Sequence, residues 1–242
     1  MEILKSVQIE NVLFIDIETV PAVADFTQLP EEWKGLWEKK ARTLTKTDES
    51  ADELYKRAGI YAEFGKIVCI GVGVLRRGKD GLQLRVKSIH GHHEAELLQE
   101  FADLLNRSFG GPSFLLCAHN GKEFDFPFLA RRMMVNGIKL PRLLDMSGKK
   151  PWDIPHIDTM ELWKFGDFKS FTSLNLLAHL FGIPTPKDDI DGSMVWSVYW
   201  EENNLERIAR YCVKDVVTLV QLFLKFRGEK MIENNDIVVA ES

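Results

Sequence analysis

An α/β fold built on a mixed β-sheet flanked by helices is what this sequence predicts, and three observations point to it. Four consecutive apolar residues, Val12, Leu13, Phe14 and Ile15, precede Asp16, the pattern of a strand covered on both faces. Two β-rich runs, 66–74 and 82–89, are separated by the turn-like cluster RRGKDG and form an antiparallel hairpin. Beyond the hairpin, helical and strand patterns alternate. The 242 residues, 45% hydrophobic and 28% charged, carry ample apolar material for a core and exclude a disordered, collagenous or disulfide-scaffold chain.

The elements follow in order. Residues 30–59 are polar, charged and helix-favouring, so they read as a helical pair inserted on the surface after the first strand. Trp33 and Trp37, four apart, supply its inward stripe. In 93–105, Leu97, Leu98, Phe101, Leu104 and Leu105 have the spacing of an amphipathic helix, and 114–118 is a short buried strand. The stretch 124–135 is a helix with Pro127 in its first turn and Asn136-Gly137 as its stop. A loop over 141–155 leads to a short strand at His156, Ile157 and Asp158. Ser173 caps the helix LNLLAHLFG, and a last long helix runs from about 204 to 226. The tail, 229–242, shows no pattern. Without a repeat or linker, the chain is expected to form one domain over 1–242.

The net charge of −5 disfavours a protein that coats duplex nucleic acid. It does not disfavour an enzyme that holds a few nucleotides in a local groove beside carboxylates. Cys69, Cys117 and Cys212 stand singly inside apolar runs, without a C-x-x-C pair, as expected of buried thiols in a reducing compartment. No leader pattern or long apolar stretch is evident, so the expected location is the cytoplasm, with no membrane partner. His90, His92 and His93 cluster before a helix but lack a nearby cysteine, and they read as an exposed turn.

Asp16 and Glu18 are two apart at the end of the first strand, so both side chains leave the same face of the sheet. Like charges so placed call for protons or cations to neutralise them, and hard oxygen ligands favour Mg²⁺ or Mn²⁺. Asp125 opens a helix, where the macrodipole favours its charge whatever its role. Tyr211 and Asp215 are one turn apart on one helical face, bordering the stripe of Ile208, Cys212, Val216, Leu219 and Phe223. Each of these features alone has an ordinary structural reading.

Taken together, D-x-E on the first strand, N-x-x-x-F-D-x-P entering a middle helix and Y-x-x-x-D on the last helix resemble the motifs of the DEDD superfamily of 3′-5′ exonucleases. The resemblance is to the tyrosine-type (DEDDy) subclass, and within it to stand-alone predicted exonucleases related to the exonuclease domain of family-B DNA polymerases. FGKIVCIGVGV, SLNLLAHLFGIP, IDGSMV and IARYCVKDVV extend it over nearly the whole chain. It implies a ribonuclease-H-like fold with a mixed five-stranded sheet. It also implies two divalent ions, Mg²⁺ or Mn²⁺, about 4 Å apart on Asp16, Glu18, Asp125 and Asp215, with Tyr211 orienting the attacking water. Asn120 and Phe124 would contact the terminal nucleotides, Phe124 by stacking; Thr19 would offer its backbone and Lys187 a phosphate contact. Hydrolysis of single-stranded DNA from its 3′ end to nucleoside 5′-monophosphates is the expected activity, with DNA favoured over RNA as partner. The alternatives are an exoribonuclease of the ribonuclease D type and a non-catalytic nucleic-acid-binding protein of the same fold. The insertion, directly after the first acidic strand, is expected to border the substrate groove.

Overall fold

The computed structural model describes residues 1–44, 49–78, 81–167, 169–184 and 190–240. Its strands are β1 (Val12–Pro21), β2 (Gly65–Arg77), β3 (Leu82–His90), β4 (Leu115–Ala118), β5 (Ile157–Asp158) and β6 (Ile237–Val239). They form one mixed sheet in the order β5-β4-β1-β2-β3-β6. β1, β2 and β3 pair antiparallel, whereas β4 lies parallel to β1, β5 to β4, and β6 to β3. Helices are α1 (Glu2–Lys5), α2 (Glu31–Ala41), α3 (Ala51–Tyr55), α4 (Glu94–Ser108), α5 (Asp125–Val135), α6 (Thr159–Lys164), α7 (Leu174–Leu180), α8 (Val195–Trp200) and α9 (Leu205–Arg227).

Because side chains alternate along a strand, β1 feeds two cores. Leu13, Ile15 and Ile17 pack with Leu98 and Phe101 of α4 and Leu129 of α5. Val12 and Phe14 face the other way into α9, where the Phe14 and Phe223 rings meet edge to face at 5.0 Å. The continuous apolar run at the start of β1 is therefore what a doubly covered strand requires.

Two glycines of β2 let α9 approach the sheet. A Cβ at Gly71 would lie 2.8 Å from Val216 Cγ2 and 2.9 Å from Cys212 Sγ, and one at Gly73 would lie 2.7 Å from Val216 Cγ1. Gly71 is the register partner of Asp16, so this close seat sets α9 directly beside the acidic part of β1. The helix begins at Asn204, whose side chain accepts from Arg207 N, and ends at Gly228 in the left-handed region, the usual means of closing both helix ends. Ser173 caps α7 by accepting from Leu176 N, as its sequence position predicts.

The sheet has six strands where five are expected. β6 arises from the tail, which shows no periodicity because it is a three-residue edge strand with two exposed side chains. In the segment leading to it, Ile232 is held by Gln221, which donates to Ile232 O and accepts from Ile232 N, at 2.8 and 2.9 Å. β1 runs on to Pro21, so Asp16 and Glu18 lie within the strand and not at its end. In the insertion Trp37 is fully buried with Leu54 and Tyr55, but Trp33 is 43% exposed and touches only an edge, against Phe64. The insertion thus has a small core of its own. Among the described residues, no helix is long and apolar enough to cross a membrane.

Candidate active site

The site begins on β1. Asp16 and Glu18 point to the α9 side of the sheet, and the pairing with β2 shifts register between Glu18 and Thr19. Bulges of this kind re-aim side chains at functional positions. Glu18 is buried and Asp16 half-buried.

Asp125 arrives from the opposite face through a tight turn after β4. Asn120 stands at φ 64°, and its carbonyl accepts from Glu123 N and Phe124 N. At Gly121 a Cβ would fall 2.4 Å from Ala118 Cβ, so the turn needs glycine there. Asp158, at the end of β5, anchors this segment: its carboxylate accepts from Asn120 N and Lys122 N at 3.0 Å each, and from Met160 N and Glu161 N at the start of α6. The buried Asp125 carboxylate then takes backbone hydrogen bonds from its own N–H and from that of Ile17, the residue between the two β1 acids.

From α9, Tyr211 donates its phenolic hydrogen to Asp215, and both lie close enough to Asp16 and Glu18 to act on them electrostatically. Cys212, on the same helix, donates weakly from its thiol to Asp16 O at 3.4 Å and Oδ2 at 3.5 Å. Oxygens of Asp16 and Glu18 and the Cys212 sulfur all lie within 4.8 Å of one another. Four carboxylates and one phenol from three elements therefore converge.

Their protonation follows from burial and crowding. Burial raises Asp16 well above the ordinary carboxylate range, and the charges of Glu18, Asp215 and Asp125 raise it further. Burial does the same for Glu18, followed by Asp215 and Asp125. Asp125 is pushed up to about 7, chiefly by burial, against the pull of its backbone donors. Burial, then the Asp215 charge, raises the Tyr211 phenol, so it remains protonated at neutral pH. The Cys212 thiol is raised by burial and by its neighbour Cys69, which leaves it neutral and the hard carboxylate oxygens as the available ligands. Such a donor set fits a divalent cation of the Mg²⁺ or Mn²⁺ kind, which would offset the repulsion these groups otherwise suffer.

A cleft of about 620 Å³ opens from Glu18 and Thr19 past Phe124, and on to Lys56 and Arg57 of the insertion and Trp196 of α8. Thr19 and Phe124 are thus placed together with Glu18, and the Phe124 ring also packs 5.4 Å from Phe128. Asn120 is held in the turn through its backbone. Lys187 lies outside the described residues. Arg132 is held away from the cleft, its side chain pairing with the buried Glu94 at 2.6 Å, and Glu94 also accepts from Ile67 N and Asn136 Nδ2. The histidines form the expected turn between β3 and α4, with His92 and His93 exposed and His90 half-buried. His90 contacts Ser88 and Glu206, and His92 the Tyr199 hydroxyl. His156 is structural, accepting from Leu116 N and donating to Leu143 O; burial first of all lowers it to about 4 and keeps it neutral. Asp158, Cys212, Lys56 and Arg57 are the residues whose placement beside the site sequence reading misses. Asp158 alone carries a signal, as an acid ending a short strand before a helix.

The mixed sheet, its flanking helices and this acidic convergence define a ribonuclease-H-like fold of the exonuclease kind. Residues 60–236 match the family model described as a predicted 3′-5′ exonuclease related to the exonuclease domain of PolB, and the chain belongs to that family. Asp125, Tyr211 and Asp215 fall within the matched span; Asp16 and Glu18 precede it. Among solved structures, the family B DNA polymerase from the hyperthermophilic archaeon Pyrobaculum calidifontis is similar with a TM-score of 0.50 and 19% identity, over 89% of this chain and 24% of that one. The chain thus spans about a quarter of the polymerase's length. The RNase domain of the yeast Pop2 protein matches with a TM-score of 0.41 and 14% identity, over 97% of this chain and 83% of that one.

Proposed function

We propose that this protein is a metal-dependent 3′-5′ exonuclease that removes nucleoside 5′-monophosphates from the 3′ end of single-stranded DNA. The observation that carries the reading is the meeting of Asp16, Glu18, Asp125 and Asp215 with Tyr211 at the head of an open cleft. Membership of a predicted exonuclease family related to that of PolB supports it, and favours DNA.

The four carboxylates would hold two divalent ions, Mg²⁺ or Mn²⁺, and these would supply Lewis acidity for activating water and for stabilising a departing oxygen. Tyr211 keeps its proton, so it positions and does not abstract: it steadies Asp215 by donating to it, and its hydroxyl oxygen remains free to accept from a water. Asp125, tied to the Ile17 N–H, keeps its carboxylate against the β1 acids. Phe124 offers a ring face to a base, a contact indifferent to sequence. Thr19 and Asn120 present polar groups at the terminal nucleotide, with Lys187 as a phosphate contact.

The test is degradation of 5′-labelled DNA and RNA oligomers with Mn²⁺, Mg²⁺ or EDTA, beside Asp16→Ala, Asp215→Ala and Tyr211→Phe. A metal-dependent ladder shortening from the 3′ end is expected, absent in both aspartate variants and slowed at least about tenfold in Tyr211→Phe. Shortening of RNA in preference to DNA would replace the substrate. A folded wild-type protein that leaves both intact with either metal would overturn the enzymatic reading in favour of a binding role.

A further inference from the structure

The cleft continues beyond the residues assigned above. Its far wall is the helical turn Lys56–Ile60, which closes the insertion, and its floor includes Trp196 at the start of α8. Lys56 and Arg57 are both exposed, and among the described residues neither side chain forms an ion pair or a hydrogen bond. Asp25 feels the Lys56 charge, but its carboxylate is already occupied by Thr27. The Lys56 ammonium instead rests 3.8 Å over the Trp196 ring, and that ring is fixed by its indole N–H, which donates to Ala24 O at 3.1 Å. Two cations whose side chains are held in no ion pair among the described residues, one of them resting on an aromatic face, therefore stand in the same cleft as Glu18. Glu201 also lines it, as an exposed acid.

We propose that Lys56 and Arg57 form a phosphate-binding subsite for the strand on the 5′ side of the scissile linkage, with Trp196 as the residue that positions Lys56. The assignment rests on the exonuclease reading for its location. A 3′-terminal nucleoside has no phosphate beyond the one being cleaved, whereas every upstream nucleotide carries one. Cations removed from the acidic cluster but sharing its cleft therefore fit the continuing strand. The insertion is then a working wall of the groove, and it makes binding dependent on strand length.

The experiment measures binding of 5′-fluorescein-labelled oligothymidylate by fluorescence anisotropy in EDTA over a series of KCl concentrations. Lys56→Glu/Arg57→Glu is expected to weaken binding roughly tenfold and to reduce the slope of log affinity against log salt by about 1.4, two contacts at about 0.7 each on a single strand. Lys56→Arg/Arg57→Lys, which keeps both charges, retains the wild-type slope. Because both side chains are exposed, the variants should fold, and an unchanged thermal midpoint checks this. With Mn²⁺ added, the charge-reversed protein should lose more turnover on a long oligothymidylate than on the dinucleotide. An unchanged salt slope, or equal losses on both lengths, would overturn the subsite. If the wild type cleaves neither substrate, the exonuclease reading fails, and the anisotropy result still decides whether these residues hold the strand.

Discussion

Asp158→Asn tests how the turn before Asp125 is held. The Asp158 side chain is 3% exposed and serves four backbone donors. Oδ1 takes Asn120 N, Met160 N and Glu161 N, and Oδ2 takes Lys122 N at 3.0 Å. Asparagine keeps one oxygen for the first three but sets an NH₂ against the Lys122 N–H. One charge-assisted bond is lost, about 1.5–3 kcal/mol, and a donor is left facing a donor. The other three bonds weaken as the charge disappears. A loss of about 3 kcal/mol follows, and with about 2–4 °C per kcal/mol for a chain of this size, the thermal midpoint should fall by about 6–12 °C. Asn120, Phe124 and Asp125 all sit in or directly after this turn, so kcat/KM on a labelled oligonucleotide should drop at least about tenfold, because small displacements of positioning groups are costly. Thermal melts and exonuclease assays on the same preparation measure both. A midpoint within one or two degrees of wild type, or full turnover, would refute the anchoring role.

Gly71→Ala places a Cβ within 3.0 Å of Val216, Cys212 Sγ and Cys212 O; the lifted α9 should cost about 1–3 kcal/mol and lower turnover, measured by denaturation and by cleavage rate. Arg132→Ala leaves the buried Glu94 charge without its partner and should destabilise by about 3–5 kcal/mol, read from urea unfolding, whereas binding of oligothymidylate by the remaining folded protein is expected to be unchanged. The acidic cluster makes stability depend on pH when divalent ions are removed. An unfolded aspartate loses its proton near 3.9, but folded Asp125 does so only near about 7. The Asp125 contribution to stability is therefore full below pH ~4 and is lost as pH rises through about 7, and Asp16 and Glu18, raised in the same direction, add to the decline. Thermal melts in EDTA should show this fall, and Mn²⁺ should raise the midpoint more at pH 7.5 than at pH 5. Equal Mn²⁺ effects at both pH values would contradict the arrangement. Asp16→Asn, which removes one of the crowded charges, should melt higher than wild type in EDTA at pH 7.5.

By itself the sequence determined the periodic parts of this protein and the identities of its acidic residues. The apolar run of β1, the stripes of α4 and α9, the Ser173 cap and the spacing of Tyr211 to Asp215 are local patterns, set by strand pleat, helical pitch and the needs of a helix end. The order of the motifs along the chain points to the family without any contact. Tertiary structure decided what depends on residues far apart in the chain. Asp158 gathers donors up to 38 residues away, and Gly71 matters because α9 lies across it. Arg132 is buried by Glu94 on another helix, so its charge cannot be read as surface from the sequence. β6 exists because its three otherwise unpatterned residues pair with β3. The cleft that joins Lys56 and Arg57 to Glu18 is likewise a product of packing, since an exposed cation in a sequence shows nothing of which wall it stands on.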